Sequence, residues 1–369
     1  MKKLGFGCMR FPLLNPDDPK SVDLEQVKAM VDLFLKRGFT YFDTAWFYHQ
    51  GTSEGVVRQA LVDRYPRDSF TLADKMPLSS LKDKTAADQE EIFRTQLERC
   101  GVDYFDYYLL HNVNAESYET ALALDTFSYL LGQKGQGRIR HLGFSFHDSA
   151  KVLDRVLTEH PEVEFVQLQL NYLDWESPSV QSRLCYETVV RHGKKVVVME
   201  PVKGGKLADP SPEVAQLFRG YDSAASLPSW AIRFAASLED VMVVLSGMST
   251  LAQVEDNTGY MSDFRPLSQE ELALTTRAAE LIRGDGTVPC TACSYCTEGC
   301  PQHIPIPVIL ALYNGSIRAP GQRDYKGEYQ ALEVNGSACV YCGQCRRSCP
   351  QHIDVIGALK DADAVLGNH

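Results

Sequence analysis

Two stretches near the carboxyl end of this sequence repeat one cysteine pattern, C-x2-C-x2-C-x3-C-P. The first reads Cys290-Thr-Ala-Cys293-Ser-Tyr-Cys296-Thr-Glu-Gly-Cys300-Pro301, and the second reads Cys339-Val-Tyr-Cys342-Gly-Gln-Cys345-Arg-Arg-Ser-Cys349-Pro350. Thiolates are soft metal ligands, and three of them at this spacing can hold three corners of one iron–sulfur cube. Because the spacings agree in both stretches, the repeat predicts two [4Fe–4S] clusters.

The repeat resembles the motif of two-cluster ferredoxins, in which the cysteine before the proline ligates the other cluster. This resemblance implies two crosswise ligand sets: Cys290, Cys293 and Cys296 with Cys349, and Cys339, Cys342 and Cys345 with Cys300. Structural zinc and disulfide bonds are the alternatives. Zinc sites usually combine two C-x2-C pairs and do not need the C-x3-C-P ending, so the pattern favours clusters.

A second group of polar side chains stands at the ends of three predicted strands. Asp43 and Tyr48 follow one apolar run, and Lys75 and His111 end the next two. A carbonyl that accepts hydride becomes an alkoxide, which needs a proton donor and nearby positive charge. We expect Tyr48 to be the general acid and His111 to orient the carbonyl. Lys75 should lower the pKa of Tyr48, and Asp43 should keep Lys75 charged. The alternative is a purely structural role for each residue.

The segments that carry these residues are Tyr-Phe-Asp43-Thr-Ala-Trp-Phe-Tyr48, Leu-Ala-Asp-Lys75 and Tyr-Leu-Leu-His111. Together with Glu54, they resemble the aldo-keto reductase superfamily, whose catalytic Asp, Tyr, Lys and His occupy these strands in the same order. The resemblance extends from Leu4 to about Asn257. It implies a nicotinamide-dependent reaction that interconverts a carbonyl and an alcohol.

The resemblance also implies which residues bind the dinucleotide, NADP or NAD. They are Ser145, Gln167, Met199, Pro201, Gly205, Gly247, Ser249, Gln253 and Asn257. Phe146 stands where the family has Asn, and Met199 replaces the aromatic residue that stacks on nicotinamide. Gly247 and Gln253 replace basic residues of NADPH-preferring members, so the choice between NAD and NADP stays open. Gln169 is the alternative to Gln167, and a barrel-closing turn is the alternative role for the loop that begins at Gly247.

Regular elements must position these side chains. Short apolar runs typical of strands cover Leu4–Met9, Tyr41–Ala45, Phe70–Lys75, Asp106–His111, Ile139–Phe146, Phe165–Tyr172, Lys195–Pro201 and Val241–Gly247. Helical periodicity between and after them covers Asp23–Arg37, Ala86–Cys100, Ser177–His192 and Ser268–Arg283. Eight such units with continuous apolar strands indicate an α/β fold, a parallel (β/α)8 TIM barrel. A doubly wound open sheet is the alternative, although no Gly-rich fingerprint follows the first strand.

Length and composition favour two domains. We expect a barrel over residues 1–285 and a small, mostly helical ferredoxin-like iron–sulfur domain over residues 286–369. Within the second domain, Ile306–Ser316 is predicted to be helical and residues 315–321 to form a loop. A chain of 369 residues with 44% apolar residues is long enough to bury a core in each domain.

The net charge of the chain restricts its binding partners, and its many cysteines restrict the cellular compartment. The net charge of −11 argues against nucleic acid or an anionic membrane as a partner. No run approaches the roughly 18 apolar residues of a membrane span. Because so many unpaired thiolates need a reducing compartment, we expect the cytoplasm. The remaining cysteines, Cys8, Cys100 and Cys185, are predicted to be small buried hydrophobes.

How the two halves work together stays open in the sequence. A nicotinamide delivers two electrons as hydride, whereas an iron–sulfur cube moves one electron at a time. The clusters could exchange electrons with a ferredoxin or other redox protein while the barrel acts on a small carbonyl or alcohol. They could instead be structural or sense oxygen. A third hypothesis, from a different class, is an electron-transfer or partner-docking protein on a barrel without nicotinamide turnover.

Overall fold

A computed structural model describes residues 2–81 and 84–367. Contacts divide the chain into two compact units. The first runs to Glu176 and continues over Gln181–Pro201 and Ser229–Ser268. The second comprises Ser177–Val180, Val202–Pro228 and the chain from Gln269 onward. The boundary predicted after residue 285 stays a prediction.

Within the described part of the chain, eight parallel strands close into a barrel in sequence order. They are β1 (Leu4–Gly7), β2 (Tyr41–Asp43), β3 (Thr71–Pro77), β4 (Phe105–Val113), β5 (Ile139–Phe146), β6 (Phe165–Gln169), β7 (Lys195–Met199) and β8 (Val241–Ser246). The eight predicted strands are therefore confirmed, and the open doubly wound sheet is excluded. Buried apolar side chains of these strands fill the barrel, among them Tyr41, Ala73, Leu109, Phe165, Val197 and Val243.

Helices connect the strands and continue into the carboxyl-terminal region. Those up to Ser262 are α1 (Leu24–Lys36), α2 (Ser53–Val57), α3 (Ala86–Cys100), α4 (Ala115–Ala123), α5 (Thr126–Gly135), α6 (Ala150–Glu159), α7 (Ser182–Arg191), α8 (Pro212–Tyr221), α9 (Leu227–Ser237) and α10 (Leu251–Ser262). They are followed by α11 (Gln269–Arg283), α12 (Tyr295–Glu298), α13 (Ile306–Arg318), α14 (Tyr325–Gln330), α15 (Gln344–Arg347) and α16 (Val355–Leu366). None of the helices in the described part of the chain has both the length and the apolar character that crossing a membrane requires.

Several predicted boundaries are wrong, among them the end of β6, which stops at Gln169 and not at Tyr172, the start of α7 and the end of α13. Helix α7 begins at Ser182 and not at Ser177, because Gln181 before it has a left-handed backbone conformation, with φ of 56°. Helix α13 continues to Arg318, so the first part of the predicted loop over residues 315–321 is helical. Gly315 fits inside this helix because the Tyr325 ring packs against it: a Cβ there would lie 2.4 Å from Cε1 of that ring.

The second unit has an apolar core of its own. Buried side chains of α13, α14 and α16 pack together, including Ile309, Leu310, Tyr329, Leu359 and Ala362. The Tyr329 hydroxyl donates to Asp363 Oδ1 at 2.7 Å and accepts from the Gly336 N–H at 2.9 Å. This core confirms that the carboxyl-terminal region is mostly helical, and cysteines of both motifs pack against it.

Candidate functional site

The four candidate catalytic residues lie at the carboxyl ends of adjacent strands. Asp43 is the last residue of β2, Lys75 lies near the end of β3, and His111 lies near the end of β4. Tyr48 begins a 3-10 turn, Tyr48–Gly51, shortly after β2. Because carboxyl ends of parallel barrel strands share one rim, the strands deliver these side chains to the same place. All four are buried.

The Lys75 ammonium is the centre of this group. Its Nζ donates to Asp43 Oδ1 at 2.6 Å, to the Thr44 carbonyl oxygen at 2.7 Å and to the Tyr48 hydroxyl oxygen at 3.3 Å. It also lies 4.8 Å from the centroid of the Tyr48 ring. A phenol whose oxygen accepts from a cation can still donate its own proton. The geometry therefore gives Tyr48 a positively charged neighbour and leaves its hydroxyl able to act as a proton donor.

The expected lowering of the Tyr48 pKa is wrong. Burial raises this pKa well above its ordinary value, and the negative charge of Asp43 adds to the rise. The physical reason is that Asp43 pairs closely with Lys75 and offsets the field of the ammonium, while the surrounding protein disfavours a phenolate. Tyr48 is consequently protonated at neutral pH, the state that a general acid requires.

His111 stands edge-on to Tyr48. The two ring centroids are 6.2 Å apart, and the planes are inclined by 83°. Burial lowers the pKa of His111 well below its ordinary value, and the positive charges of Lys75 and His147 lower it further. The imidazole is therefore neutral at neutral pH and can donate one hydrogen bond without adding charge.

Behind Lys75 lies a polar network that sequence reasoning missed. Asp74 Oδ1 accepts from the Lys75 backbone N–H at 2.8 Å, and Gln96 Nε2 donates to the Lys75 carbonyl oxygen at 3.0 Å. Gln96 Nε2 also donates to Glu54 at 3.0 Å, and Arg99 forms an ion pair with the same carboxylate at 3.0 Å. The network fixes the backbone of Lys75 on both sides. No motif reveals Gln96, since it comes from the middle of α3.

Burial dominates the ionisation of the two carboxyl groups in this network. It raises the pKa of Asp74 well above its usual range, and the charge of Glu54 raises it further. Burial also raises the pKa of Glu54, although hydrogen bonds from Gln96 and Arg99 act against the rise. Two carboxylates this close cannot both ionise without cost, so the pair favours retaining a proton.

The residues assigned to the nicotinamide lie together on β5 and β6. Ser145 and Gln167 are direct neighbours in the strand register, and both are buried. Within the described residues the amide oxygen of Gln167 is buried without a hydrogen-bond partner, whereas Gln169 donates to Asp174 Oδ2 at 2.8 Å. An unsatisfied acceptor at Gln167 fits the amide nitrogen of a nicotinamide carboxamide. Phe146 offers no such group and packs against Phe144 at 6.2 Å.

The loop after β8 is held by its own polar side chains. Gln253 Oε1 accepts from the Ser249 N–H at 2.7 Å, and Asn257 Nδ2 donates to Ser246 Oγ at 2.9 Å. Thr250 caps α10 by accepting from the Gln253 N–H at 3.2 Å. The loop thus leads into the amino terminus of the full-length helix α10, and helix amino termini suit phosphate-bearing ligands.

Arg10 is a basic residue at this loop that sequence reasoning missed. The Arg10 carbonyl oxygen accepts from Ser249 Oγ at 2.7 Å. Its side chain covers Gly247, where a Cβ would lie 2.7 Å from Arg10 Cγ. Its position in the short turn Cys8–Arg10, which follows β1, is the sequence signal that could have placed it at the same barrel rim.

The other assigned dinucleotide contacts lie at the end of β7 and beyond. Met199 ends β7 opposite Gln169 in the register, and Pro201 follows in the same compact unit. Gly205, with φ of 101°, belongs to the Val202–Pro228 segment of the second unit.

The eight motif cysteines line two separate cavities in the second unit. One cavity, of about 340 Å³, is lined by Cys290, Cys293, Cys296 and Cys349, and the other, of about 320 Å³, by Cys300, Cys339, Cys342 and Cys345. We call these the first and second cavities. Their members are the crosswise sets that the ferredoxin resemblance implies. Four thiols around an apolar cavity fit a cube, whereas zinc ligands would converge on one point about 2.3 Å from each sulfur.

The cysteines are all free, including the three outside the motifs. The disulfide alternative is therefore wrong for this structure. Cys8, Cys100 and Cys185 are buried, as predicted, and burial raises the pKa of each thiol. Protonated, buried thiols of this kind serve as packing groups.

Comparison with known proteins agrees with both halves of this description. The aldo/keto reductase family model matches residues 3–280, and the 4Fe-4S dicluster domain model matches residues 289–353. Aldo-keto reductase str7 of Strobilurus tenacellus is 26% identical over 316 residues, which cover 76% of this chain and 89% of that protein. The NADH-specific methylglyoxal reductase of Escherichia coli K12 is 24% identical over 288 residues, which cover 66% of this chain and 85% of the reductase.

Solved structures show the same barrel. The holo form of aldo-keto reductase AKR11C1 from Bacillus halodurans superimposes with a TM-score of 0.59 and 25% identity, covering 75% of this chain and 91% of that one. An aldo-keto reductase from Klebsiella pneumoniae in complex with NADPH gives a TM-score of 0.56 at 21% identity, covering 74% of this chain and 90% of that one. The chain therefore belongs to the aldo/keto reductase family of oxidoreductases and carries a 4Fe-4S dicluster domain at its carboxyl-terminal end.

Proposed function

We propose that this protein is an NAD(P)-dependent oxidoreductase that interconverts a carbonyl and an alcohol, with Tyr48 as its general acid. The observation that carries the proposal is the position of the Lys75 ammonium, within hydrogen-bonding distance of both Asp43 and the Tyr48 hydroxyl. A buried tyrosine with a purely structural role would not require an ammonium group beside its hydroxyl. A proton donor held beside a fixed positive charge is what a developing alkoxide requires.

The residues divide the work of carbonyl reduction between them. A nicotinamide, when bound, supplies hydride to the carbonyl carbon. Tyr48 gives its proton to the carbonyl oxygen, and Lys75 stabilises the negative charge that the phenol acquires. Neutral His111 can hold the same oxygen by one hydrogen bond and so orient the carbonyl. Because burial keeps the pKa of Tyr48 high, the phenol holds its proton until the carbonyl needs it, as reduction requires.

Ser145 and Gln167 are proposed to hold the nicotinamide carboxamide. The unsatisfied amide oxygen of Gln167 supports this role, because the carboxamide would complete its hydrogen bonding. Relatives and structural neighbours include proteins named for NADH and for NADPH. Arg10 beside Gly247 is the basic group that we assign to a 2′-phosphate, and NADPH is thus the preferred nucleotide of the proposal.

The two cavities are proposed to hold one [4Fe–4S] cluster each. The clusters exchange electrons with a ferredoxin or similar redox protein, or they support the fold. So many free thiolates require a reducing compartment, and we infer the cytoplasm. A second candidate function is electron transfer or partner docking without nicotinamide turnover. Phe146, which cannot replace the amide of the family's Asn, is the observation that favours it.

The test is an anaerobic titration of the purified protein with NADH and NADPH, followed by visible and EPR spectra and by nucleotide oxidation. Methylglyoxal serves as the probe carbonyl, because a relative is named for reducing it. Carbonyl-dependent nucleotide oxidation is the expected result. Loss of the cluster absorbance on addition of nucleotide would show that electrons from the nucleotide reach the clusters. Unchanged visible and EPR spectra would indicate that the clusters only support the fold. Absence of any nucleotide binding would refute the proposal in favour of the second candidate.

A further inference from the structure

The two cysteine motifs repeat in sequence but differ in burial. The residue after the first cysteine is Thr291 in one motif, where it is 1% exposed, and Val340 in the other, where it is 55% exposed. The glutamine after Cys-Pro is buried as Gln351 and exposed as Gln302. Thr291 and Gln351 both line the first cavity, and their counterparts line the second. One cavity is thus covered at a face that the other leaves open to solvent.

The segment Val202–Ala208, which we call the β7 loop, covers this face within the second unit. The Nζ atom of Lys203 donates to Gln351 Oε1 at 2.6 Å, and Lys203 is only 2% exposed. Gly204 lies so close to Thr291 that a Cβ would stand 2.6 Å from the Thr291 Cα. A buried charge and a contact that only glycine permits show that the loop is fitted closely to the first cavity.

Lys206 provides another attachment of the same loop. Its Nζ donates to Thr287 Oγ1 at 2.6 Å and lies 3.7 Å from Asp285 Oδ1. Asp285 also pairs with Arg318 of α13 at 3.3 Å. The loop is therefore joined to the segment that leads directly into the first cysteine motif.

The backbone of the β7 loop needs these attachments. Lys203, Gly204 and Gly205 are all left-handed, with φ values of 51°, 63° and 101°. A left-handed lysine is strained, and such conformations persist only where the surroundings impose them. The shape of the loop therefore depends on the parts of the second unit that hold it, the first cavity above all.

We propose that Lys203 and Gln351 are positioning residues through which an occupied first cavity strengthens nicotinamide dinucleotide binding. Along the chain the β7 loop directly follows Met199 and Pro201 and includes Gly205, all assigned to the dinucleotide. A cluster bound in the first cavity would fix Cys349 and hence Gln351, which accepts from Lys203 and so would fix the β7 loop. The inference rests on the proposed function. By thermodynamic linkage the coupling is reciprocal, so the dinucleotide must also strengthen retention of the first cluster.

The test compares NADPH dissociation constants of the intact protein, the cluster-depleted protein and three variants, all handled without oxygen. The variants are Gln351→Ala, Lys203→Met and the matched control Gln302→Ala, which alters the equivalent glutamine of the other motif. EPR and iron content first establish that each variant retains both clusters. Lys203→Met keeps the test valid if Gln351→Ala assembles poorly, because Lys203 is remote in sequence from the cluster ligands.

Cluster removal and the Lys203→Met and Gln351→Ala changes should each raise the dissociation constant about tenfold, the size of a lost charge-assisted hydrogen bond. Gln302→Ala should leave it unchanged, and after cluster removal all the proteins should bind alike. Saturating NADPH should slow chelator-driven loss of the first cluster in the wild type but not in Lys203→Met. Two results would overturn this inference and leave the proposed function intact. One is equal NADPH affinity with and without clusters, and the other is an equal change in NADPH affinity in Gln351→Ala and Gln302→Ala. An intact protein that binds no nucleotide would overturn the proposed function as well.

Discussion

Replacing Tyr48 by Phe removes one hydroxyl group and tests the proposed proton donor. The Lys75 ammonium would lose its longest hydrogen bond, at 3.3 Å, and keep the shorter ones to Asp43 and Thr44. No buried charge is left unpaired, so the free energy of unfolding should fall by less than about 1 kcal/mol. The NADPH dissociation constant should not change, because Tyr48 is not assigned to the nucleotide.

Carbonyl reduction should respond very differently. A positioned general acid contributes about 10²–10⁴ in rate, which corresponds to roughly 3–5.5 kcal/mol of activation free energy. We therefore expect kcat/KM for methylglyoxal reduction to fall by about that factor in Tyr48→Phe. The wild-type rate should show no loss through ionisation of Tyr48 below the ordinary tyrosine pKa of about 10, because burial raises that pKa.

The matched control is Tyr41→Phe, which removes the same group elsewhere in the barrel. The Tyr41 side chain is buried in β2, and within the described residues its hydroxyl has no hydrogen-bond partner. Loss of the Tyr41 hydroxyl should leave activity unchanged. It should leave the free energy of unfolding unchanged or raise it slightly, because a buried polar group without a partner is removed. A Tyr48→Phe enzyme that keeps more than about a tenth of the wild-type kcat/KM, or that loses no more than Tyr41→Phe, would refute the assignment of Tyr48.

Further changes test other parts of the description. Folding raises the pKa values of Asp74 and Glu54. Their full contribution to the free energy of unfolding is therefore present below the unfolded-state pKa of about 4, and it is lost as the pH rises through the folded-state pKa values. The Tm of Asp74→Asn relative to wild type should therefore increase from pH 5 to pH 9, and a decrease would contradict the shared proton. Cys349→Ser should abolish the EPR signal of the first cluster and spare the second; the opposite loss would refute the crosswise ligand sets. Arg10→Met should weaken NADPH binding by roughly 10- to 100-fold, the loss of a hydrogen bond to a charged group, with little change for NADH, as titrations with both nucleotides will show. Gly204→Ala should lower stability by about 1–3 kcal/mol in urea unfolding, since it adds a Cβ at 2.6 Å from backbone in a left-handed conformation, and an unchanged midpoint would refute the close fit.

The sequence predicted the barrel strands well because parallel strands buried on both faces are continuous apolar runs. The Val-rich run of β7 is such a case, and Gly101 marked the end of α3 with its left-handed conformation. The predicted start of α7 was wrong because the helix begins only after Gln181, a single residue in the left-handed conformation. Glutamine is not a residue type that indicates this conformation. Local sequence thus predicts elements more reliably than their boundaries.

The candidate site was predicted only where motifs carry it. Asp43 and Lys75 meet as expected, because their strands are neighbours in the barrel. Gln96 was not predicted, since its role depends on which face of α3 packs behind β3. The direction of the Tyr48 pKa shift was wrong because burial outweighs one neighbouring cation whose charge is already balanced. The unequal burial of the two cysteine motifs was also beyond prediction, since the cysteine spacing that they share gives no sign of what covers each motif.

The crosswise pairing of cysteines has a consequence for how the carboxyl-terminal segment can be assembled and rearranged. A cube held in the first cavity would close the chain from Cys290 to Cys349, and a cube in the second would close a smaller loop, from Cys300 to Cys339, nested inside it. Nested closures restrict the unfolded chain, and the free energy of metal binding becomes free energy of folding. With the proposed ligand sets, neither motif would keep a complete set of four ligands if it were excised, transplanted or expressed alone. Helices α13 and α14, which lie inside both closures, should fold together with cluster insertion as one cooperative event.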